Sequence, residues 1–183
     1  MAIDTPIATG NAGVDTLYGG TGADFLSGGA DGDQLFGDAD ADTLDGSAGN
    51  DRLTGGDGND VLTGGAGLDQ FNFSTSTSLG AVGGVFVLLN RATVTDFNPV
   101  DDTIRLSRSA LPALGAVGGL QASAFFIAAG GQATLASQRI VYDPTTGIVR
   151  YDINGYAFPV DTLIVGLENL PANVTAADCV IIA

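Results

Sequence analysis

Residues 10–72 read GNAGVDTLY GGTGADFLS GGADGDQLF GDADADTLD GSAGNDRLT GGDGNDVLT GGAGLDQFN, seven blocks of nine on one template. Glycine opens every block: Gly10, Gly19, Gly28, Gly37, Gly46, Gly55 and Gly64. Aspartate is always sixth: Asp15, Asp24, Asp33, Asp42, Asp51, Asp60 and Asp69. A large apolar residue is always eighth: Leu17, Leu26, Leu35, Leu44, Leu53, Leu62 and Phe71. Position four is glycine in five blocks, Gly13, Gly22, Gly49 and Gly58 among them, and aspartate in two, Asp31 and Asp40. Composition alone does not produce such agreement.

Each position has a physical reading. Glycines at positions one, two and four permit positive φ, which a tight turn that aims its carbonyls inward requires. One large side chain between two smaller or polar ones is the alternation of a short half-buried strand. Two blocks then make a coil of 18 residues, strand–turn–strand–turn, and the apolar residues of successive coils stack as a ladder inside a narrow sandwich. Aspartates two blocks apart fall on one edge, about 4.8 Å from each other. Two bare carboxylates at that separation repel by about 1 kcal/mol even in water. A hard cation removes the repulsion, and calcium accepts six to eight mixed carboxylate and carbonyl oxygens in forgiving geometry. Pairing each block with the next but one gives five pairs, Asp15 with Asp33, Asp24 with Asp42, Asp33 with Asp51, Asp42 with Asp60 and Asp51 with Asp69. The expectation is about five calcium ions, or four if Asp31 and Asp40 distort a turn; those two could instead add carboxylate density. The candidate ligands are the seven aspartate side chains and the loop backbone at Gly10, Gly19, Gly28, Gly37, Gly46, Gly55 and Gly64 and at Gly13, Gly22, Gly49 and Gly58.

Charge points the same way. Six arginines and no lysine stand against 21 acidic residues, a formal charge of −15, and twelve of the acids lie in residues 10–72 beside the single Arg52. Self-repulsion on that scale strains a compact fold, and divalent ions would offset most of it. Nucleic acid, whose partners carry basic faces, is disfavoured. The absence of histidine closes His-based zinc sites, Ser-His-Asp triads and imidazole bases. Without lysine there is no Schiff base. The lone Cys179 can form no internal disulfide and reads as a small buried hydrophobe.

Residues 1–9 lack the basic and apolar regions of a signal peptide, and Ile3, Pro6 and Ile7 are expected to cover the first coil. After Asn72 the period breaks. Ser74 to Gly84 reads as a loop, and β-rich runs follow at Val85–Leu89, Thr93–Phe97, Asp102–Leu106, Phe125–Ala128, Arg139–Tyr142, Ile148–Ile153, Thr162–Val165 and Val180–Ile182. Short helical turns are expected at Ala110–Gly119 and Thr175–Asp178. The fold class is therefore all-β: a cap at 1–9, stacked coils over 10–73, and a β-rich, sandwich-like cap of antiparallel strands over 74–183. Asp96, Asp101 and Asp102, and separately Asp152 with Asn154, are secondary metal candidates. A hairpin turn at Asn154-Gly155 is the plainer reading of the latter.

The repeats match G-G-x-G-x-D-x-U-x, and with them the chain resembles the repeats-in-toxin (RTX) family of calcium-binding proteins exported by type I secretion. Residues 93–107 (TVTDFNPVDDTIRLS), 120–126 (LQASAFF), 139–157 (RIVYDPTTGIVRYDINGYA) and 170–183 (LPANVTAADCVIIA) resemble the C-terminal region of serralysin-type and haemolysin-type proteins. The resemblance implies a right-handed parallel β-roll holding calcium, then a β-sandwich-like region. It also implies an uncleaved export signal in about the last 50 residues, and an extracellular or cell-surface location. The ending Asp178-Cys179-Val180-Ile181-Ile182 fits that signal except for the cysteine. Type I secretion machinery is then a partner, and calcium outside the cell is what folds the chain. No HExxH and no lipase-type G-x-S-x-G with a histidine partner is present, so no enzyme is expected in this chain, which reads as the C-terminal part of a secreted protein or a small stand-alone one. The alternative is a polysaccharide-binding or surface-layer component similar to the repeat modules of alginate epimerases, for which Arg52, Tyr18, Phe25 and Phe36 offer only a thin surface.

Overall fold

The computed structural model describes residues 7–73, 79–82, 85–88, 92–108, 118–121, 124–127, 140–152 and 161–183. The repeats form β1 (Ile7–Ala12), β2 (Thr16–Thr21), β3 (Phe25–Ala30), β4 (Gln34–Ala39), β5 (Thr43–Ala48), β6 (Arg52–Asp57), β7 (Val61–Thr63) and β8 (Gln70–Phe73). A typical strand starts just after the aspartate and runs through position three of the next block, so it is longer than the apolar triplet alone suggests. Odd strands build one parallel sheet and even strands the other. Register advances by one coil of 18 residues per strand: Leu17 pairs with Leu35, Leu35 with Leu53, and Leu53 with Phe71. Between the sheets Leu26, Leu35, Leu44, Leu53, Leu62 and Phe71 are fully buried.

Positive φ recurs at positions two and four of every block, whatever the residue. Asp31 and Asp40 adopt φ of 75° and 77°, a left-handed conformation that aspartate tolerates, and strand register continues past both. They do not distort their turns. Gly58 is the stricter case: its φ is 157° and an added Cβ would strike the Asp40 carbonyl. Position one corrects the sequence reading. Its glycines, Gly10 through Gly64, are not in positive φ; what they supply is space.

After the repeats, β9 (Leu79–Val82) and β10 (Val85–Leu88) pair as an antiparallel ribbon, where the Gly-rich sequence read as loop up to Gly84. Cross-strand pairing overrides weak local propensity there. The next strands do not start an antiparallel sandwich. β11 (Ala92–Val94) adds in parallel to β7, and β12 (Thr103–Ser107) adds in parallel to β8. The edges of β7 and β8 carry unpaired amides and carbonyls, and continuing the stack satisfies them: Thr93 N–H donates to Asp60 O, and Thr103 N–H to Asp69 O, both at 2.8 Å.

Beyond these lie β13 (Gly118–Gly119), β14 (Phe125–Ile127), β15 (Ile140–Asp143), β16 (Ile148–Asp152), β17 (Asp161–Leu167) and β18 (Cys179–Ile182). The final orders are β1-β3-β5-β7-β11-β17-β16-β15-β14 and β13-β18-β12-β8-β6-β4-β2. Among the described residues, only β15–β16–β17 and the β13–β18 pair run antiparallel in these sheets. The ladder therefore crosses the boundary unbroken, Val94 and Leu167 following Leu62, and Ile104 and Cys179 following Phe71.

Thr175 caps a 3-10 turn at Ala176–Asp178 through a capping box. Of the other expected helical turn, residues 110–117 lie outside the described residues, and Gly118–Gly119 is strand. Cys179 is buried, and burial pushes its thiol up to about 12, as suits a packing residue. Ile7 begins β1 and is 78% exposed, so it does not cover the first coil, and Ala8 packs inward instead. Ile3 and Pro6 lie outside the described residues.

Candidate metal centre

The aspartate that ends each turn enters its strand with its carboxylate folded back beneath the turn. Its backbone N–H donates to Oδ1 of the aspartate one coil on: Asp15 to Asp33 at 2.8 Å, Asp24 to Asp42 at 2.9 Å, Asp33 to Asp51 at 2.7 Å, Asp42 to Asp60 at 3.1 Å and Asp51 to Asp69 at 2.9 Å. These bonds align the carboxylates in two columns along the edges of the stack. From Asp24 to Asp69 the column residues are at most 3% exposed.

From Asp33 to Asp69 one oxygen of each column carboxylate is thus satisfied. Oδ2 of Asp15, Asp33, Asp42, Asp51 and Asp69 is buried with no hydrogen-bond partner. A buried polar atom left so costs about 1–3 kcal/mol, more if charged, so five along the two columns require an account. The position-one glycines give it. An added Cβ on Gly10 would fall 2.6 Å from Asp15 Oδ2 and 2.5 Å from the Gly28 carbonyl oxygen. The same pair of oxygens, from the block's own aspartate and from the glycine one coil on, flanks Gly19, Gly28, Gly37 and Gly46. Two acceptors converging on one space have no proton to share. A hard cation suits them, and glycine leaves it room. Among the described residues no point gathers three or more carboxylate, thiol or imidazole groups.

The electrostatics agree. Burial first, partly offset by the backbone N–H bond and reinforced by neighbouring carboxylates, pushes Asp42 and Asp51 up to about 6. Asp60 and Asp69 are raised for the same reasons. These groups hold negative charge reluctantly unless a cation joins them.

The other sequence candidates fall in different places. Gly13 and Gly22 donate their N–H groups to the exposed carboxylates of Asp31 and Asp40, each at 3.1 Å, so Asp31 and Asp40 stand outside the columns. Gly49 and Gly58 pack on the Asp31 and Asp40 carbonyls. Asp96 has both oxygens occupied, by N–H of Gly64 (3.0 Å) and of Gly65 (2.8 Å). Asp102 likewise accepts from Asp69 N–H (3.1 Å) and Asn98 N–H (2.8 Å), and burial raises it to about 6. Asp101 accepts from Asn98 Nδ2 at 2.6 Å. Asp102 thus extends one column past the repeats. Asp102-Thr103-Ile104 repeats the Asp-x-apolar step, the signal that could have placed it. Asn154 and the Asp152 side chain lie outside the described residues.

Parallel coils, a buried apolar ladder and two carboxylate columns define a calcium-binding β-roll. The family model of the RTX calcium-binding nonapeptide repeat matches residues 9–44 and 36–71, so this stretch of the chain is an RTX β-roll. The nonapeptide unit is a structural calcium-binding module, not a catalytic one. Among solved structures, the solution structure of the AlgE6R3 subunit of the Azotobacter vinelandii mannuronan C5-epimerase is similar at 27% identity, over 94% of this chain and 82% of that one, with a TM-score of 0.38. None of the curated proteins compared is significantly similar. No helix among the described residues is long and apolar enough to cross a membrane.

Proposed function

We propose that this chain is a calcium-dependent folding module, stable as a roll only when cations bridge its carboxylate columns. The buried, unpartnered Oδ2 atoms at Asp15, Asp33, Asp42, Asp51 and Asp69 support this reading. About five ions would lie between blocks n and n+2, held by the column carboxylates and by position-one carbonyls such as that of Gly28. Bound cations would neutralise the columns and so supply folding free energy.

At low intracellular calcium the acidic chain would stay extended and fit for export by type I machinery; in calcium-rich surroundings it would fold. The units of that behaviour are residues 1–9, of which residues 7–9 already belong to the first strand of the roll, the roll at 10–73, and the cap at 74–183 with an uncleaved signal in about the last 50 residues. Calorimetric titration of the chelated protein tests the site assignment. Near five calcium ions per chain supports it, and Asp33→Ala, which removes a carboxylate shared by two pairs, should lower the number by one or two. A stoichiometry of one or none, or an unchanged number in that variant, would overturn it. The polysaccharide-binding alternative is favoured by Arg52 and Arg105, which converge on Gln70 Oε1 at the even-strand sheet.

A further inference from the structure

The outer face of the even-strand sheet carries a groove of about 440 Å³. Phe36 forms one wall, Thr54 and Asn72 the floor, and Arg105 the far wall, with Arg52 beside the floor. From β4 to β12 the groove spans three strand spacings, about 14 Å. Phe36 is braced from behind by Tyr18, ring centroids 4.9 Å apart and planes within 10°.

Two features of the groove look unfinished. Arg52 comes from a repeat and Arg105 from the cap, yet both donate to one neutral oxygen, Gln70 Oε1, at 3.2–3.3 Å and 3.0 Å. Among the described residues neither guanidinium is ion-paired, in a chain of formal charge −15. Burial and the Arg52 charge make the Arg105 cation less favourable than usual. Asn72, only 9% exposed, donates through Nδ2 to Thr54 Oγ1 at 2.9 Å, while its Oδ1 is buried without a partner.

We propose that this groove binds a carboxylated polysaccharide, a sugar carboxylate seated between Arg52 and Arg105. Two converging guanidiniums match a carboxylate. The Asn72 oxygen accepts from a ring hydroxyl, and the apolar face of a neighbouring sugar packs on Phe36. A polymer with one charge per ring suits two arginines on an acidic protein, whereas dense polyanions such as nucleic acid need a broad basic surface. Asp38, exposed at the rim, opposes the ligand and tunes affinity downward.

The groove rests on the folded roll, so the test uses calcium-loaded protein whose β signal is checked first. A protein that fails to fold in calcium contradicts the function proposed above, whereas a folded protein that fails to bind contradicts only this site. Oligomannuronate or oligogalacturonate is titrated by calorimetry, with a neutral glucan and poly-glutamate as controls. Binding of the uronates alone is expected, weakened about tenfold or more by Arg52→Gln and by Arg105→Gln. Asp38→Asn should strengthen it a few-fold; asparagine tolerates the φ of 73° at that position, so the variant keeps the fold. Equal binding of poly-glutamate, binding of the neutral glucan, or no effect of these three substitutions would overturn the proposal.

Discussion

The backbone N–H of Asp69 donates to Oδ1 of Asp102 at 3.1 Å, repeating across 33 residues the bond that Asp51 makes to Asp69 across 18. The roll therefore does not stop where its sequence period stops. Asp102 takes the place of an eighth column aspartate, and Ile104 stacks on Phe71 as the next rung. The strands that follow the repeats are built on the last coil rather than beside it.

Removing that link should loosen the cap from the roll. Asp102→Ala leaves Asp69 N–H and Asn98 N–H without acceptors, each costing about 1–3 kcal/mol if it stays buried. Urea unfolding in saturating calcium should show a loss of at least about 2 kcal/mol.

Acidity should act oppositely on the calcium-free and calcium-loaded chains. Asp42, Asp51 and Asp102 rise from 3.8 to about 6 on folding, so the folded metal-free chain binds more protons than the unfolded one. Their contribution to stability is fully present below about 4 and is lost as pH rises through 6. In chelator, circular dichroism should gain β signal as pH falls from 7.5 to 4. Calcium affinity should fall over the same range, because protons compete for the same oxygens.

Two glycine substitutions separate space from backbone conformation. Gly28→Ala would press a methyl on Asp33 Oδ2 and the Gly46 carbonyl, so calorimetry should count one calcium fewer. Gly13→Ala meets nothing within 4 Å, but its φ is 103°; it should cost about 1–2 kcal/mol with the ion count unchanged.

The apolar ladder should be coupled to the ions. Leu44 is fully buried at mid-roll, and Leu44→Ala should cost about 2–5 kcal/mol. Since folding and binding are linked, the calcium concentration at half-folding should rise in parallel, with the final stoichiometry unchanged.

The repeat array was legible because each of its rules is local: Asp33 and Leu35 are fixed by period, and the pairing of Asp33 with Asp51 follows from two blocks per coil. Position one misled, since the sequence shows that glycine is required at Gly28 but not that the Asp33 carboxylate occupies the space beside it. The cap's strands were recognisable, but not their direction. A run such as Thr103–Ser107 carries no mark of whether it joins β8 in parallel or a neighbour in antiparallel; the unsatisfied edge of the last coil decides that. The arginine pair was illegible for the same reason: Arg52 and Arg105 meet only because β12 extends the sheet next to β8, where Gln70 lies between them.

The most direct measurement is far-UV circular dichroism through a calcium titration of chelated protein, with magnesium as the control. The account predicts a cooperative coil-to-β transition driven by calcium and not by equal magnesium, because a flexible site of carboxylate and carbonyl oxygens suits the larger ion. A full β spectrum already present at neutral pH in chelator, unchanged by calcium, would show that the carboxylate columns do not govern folding and would contradict it.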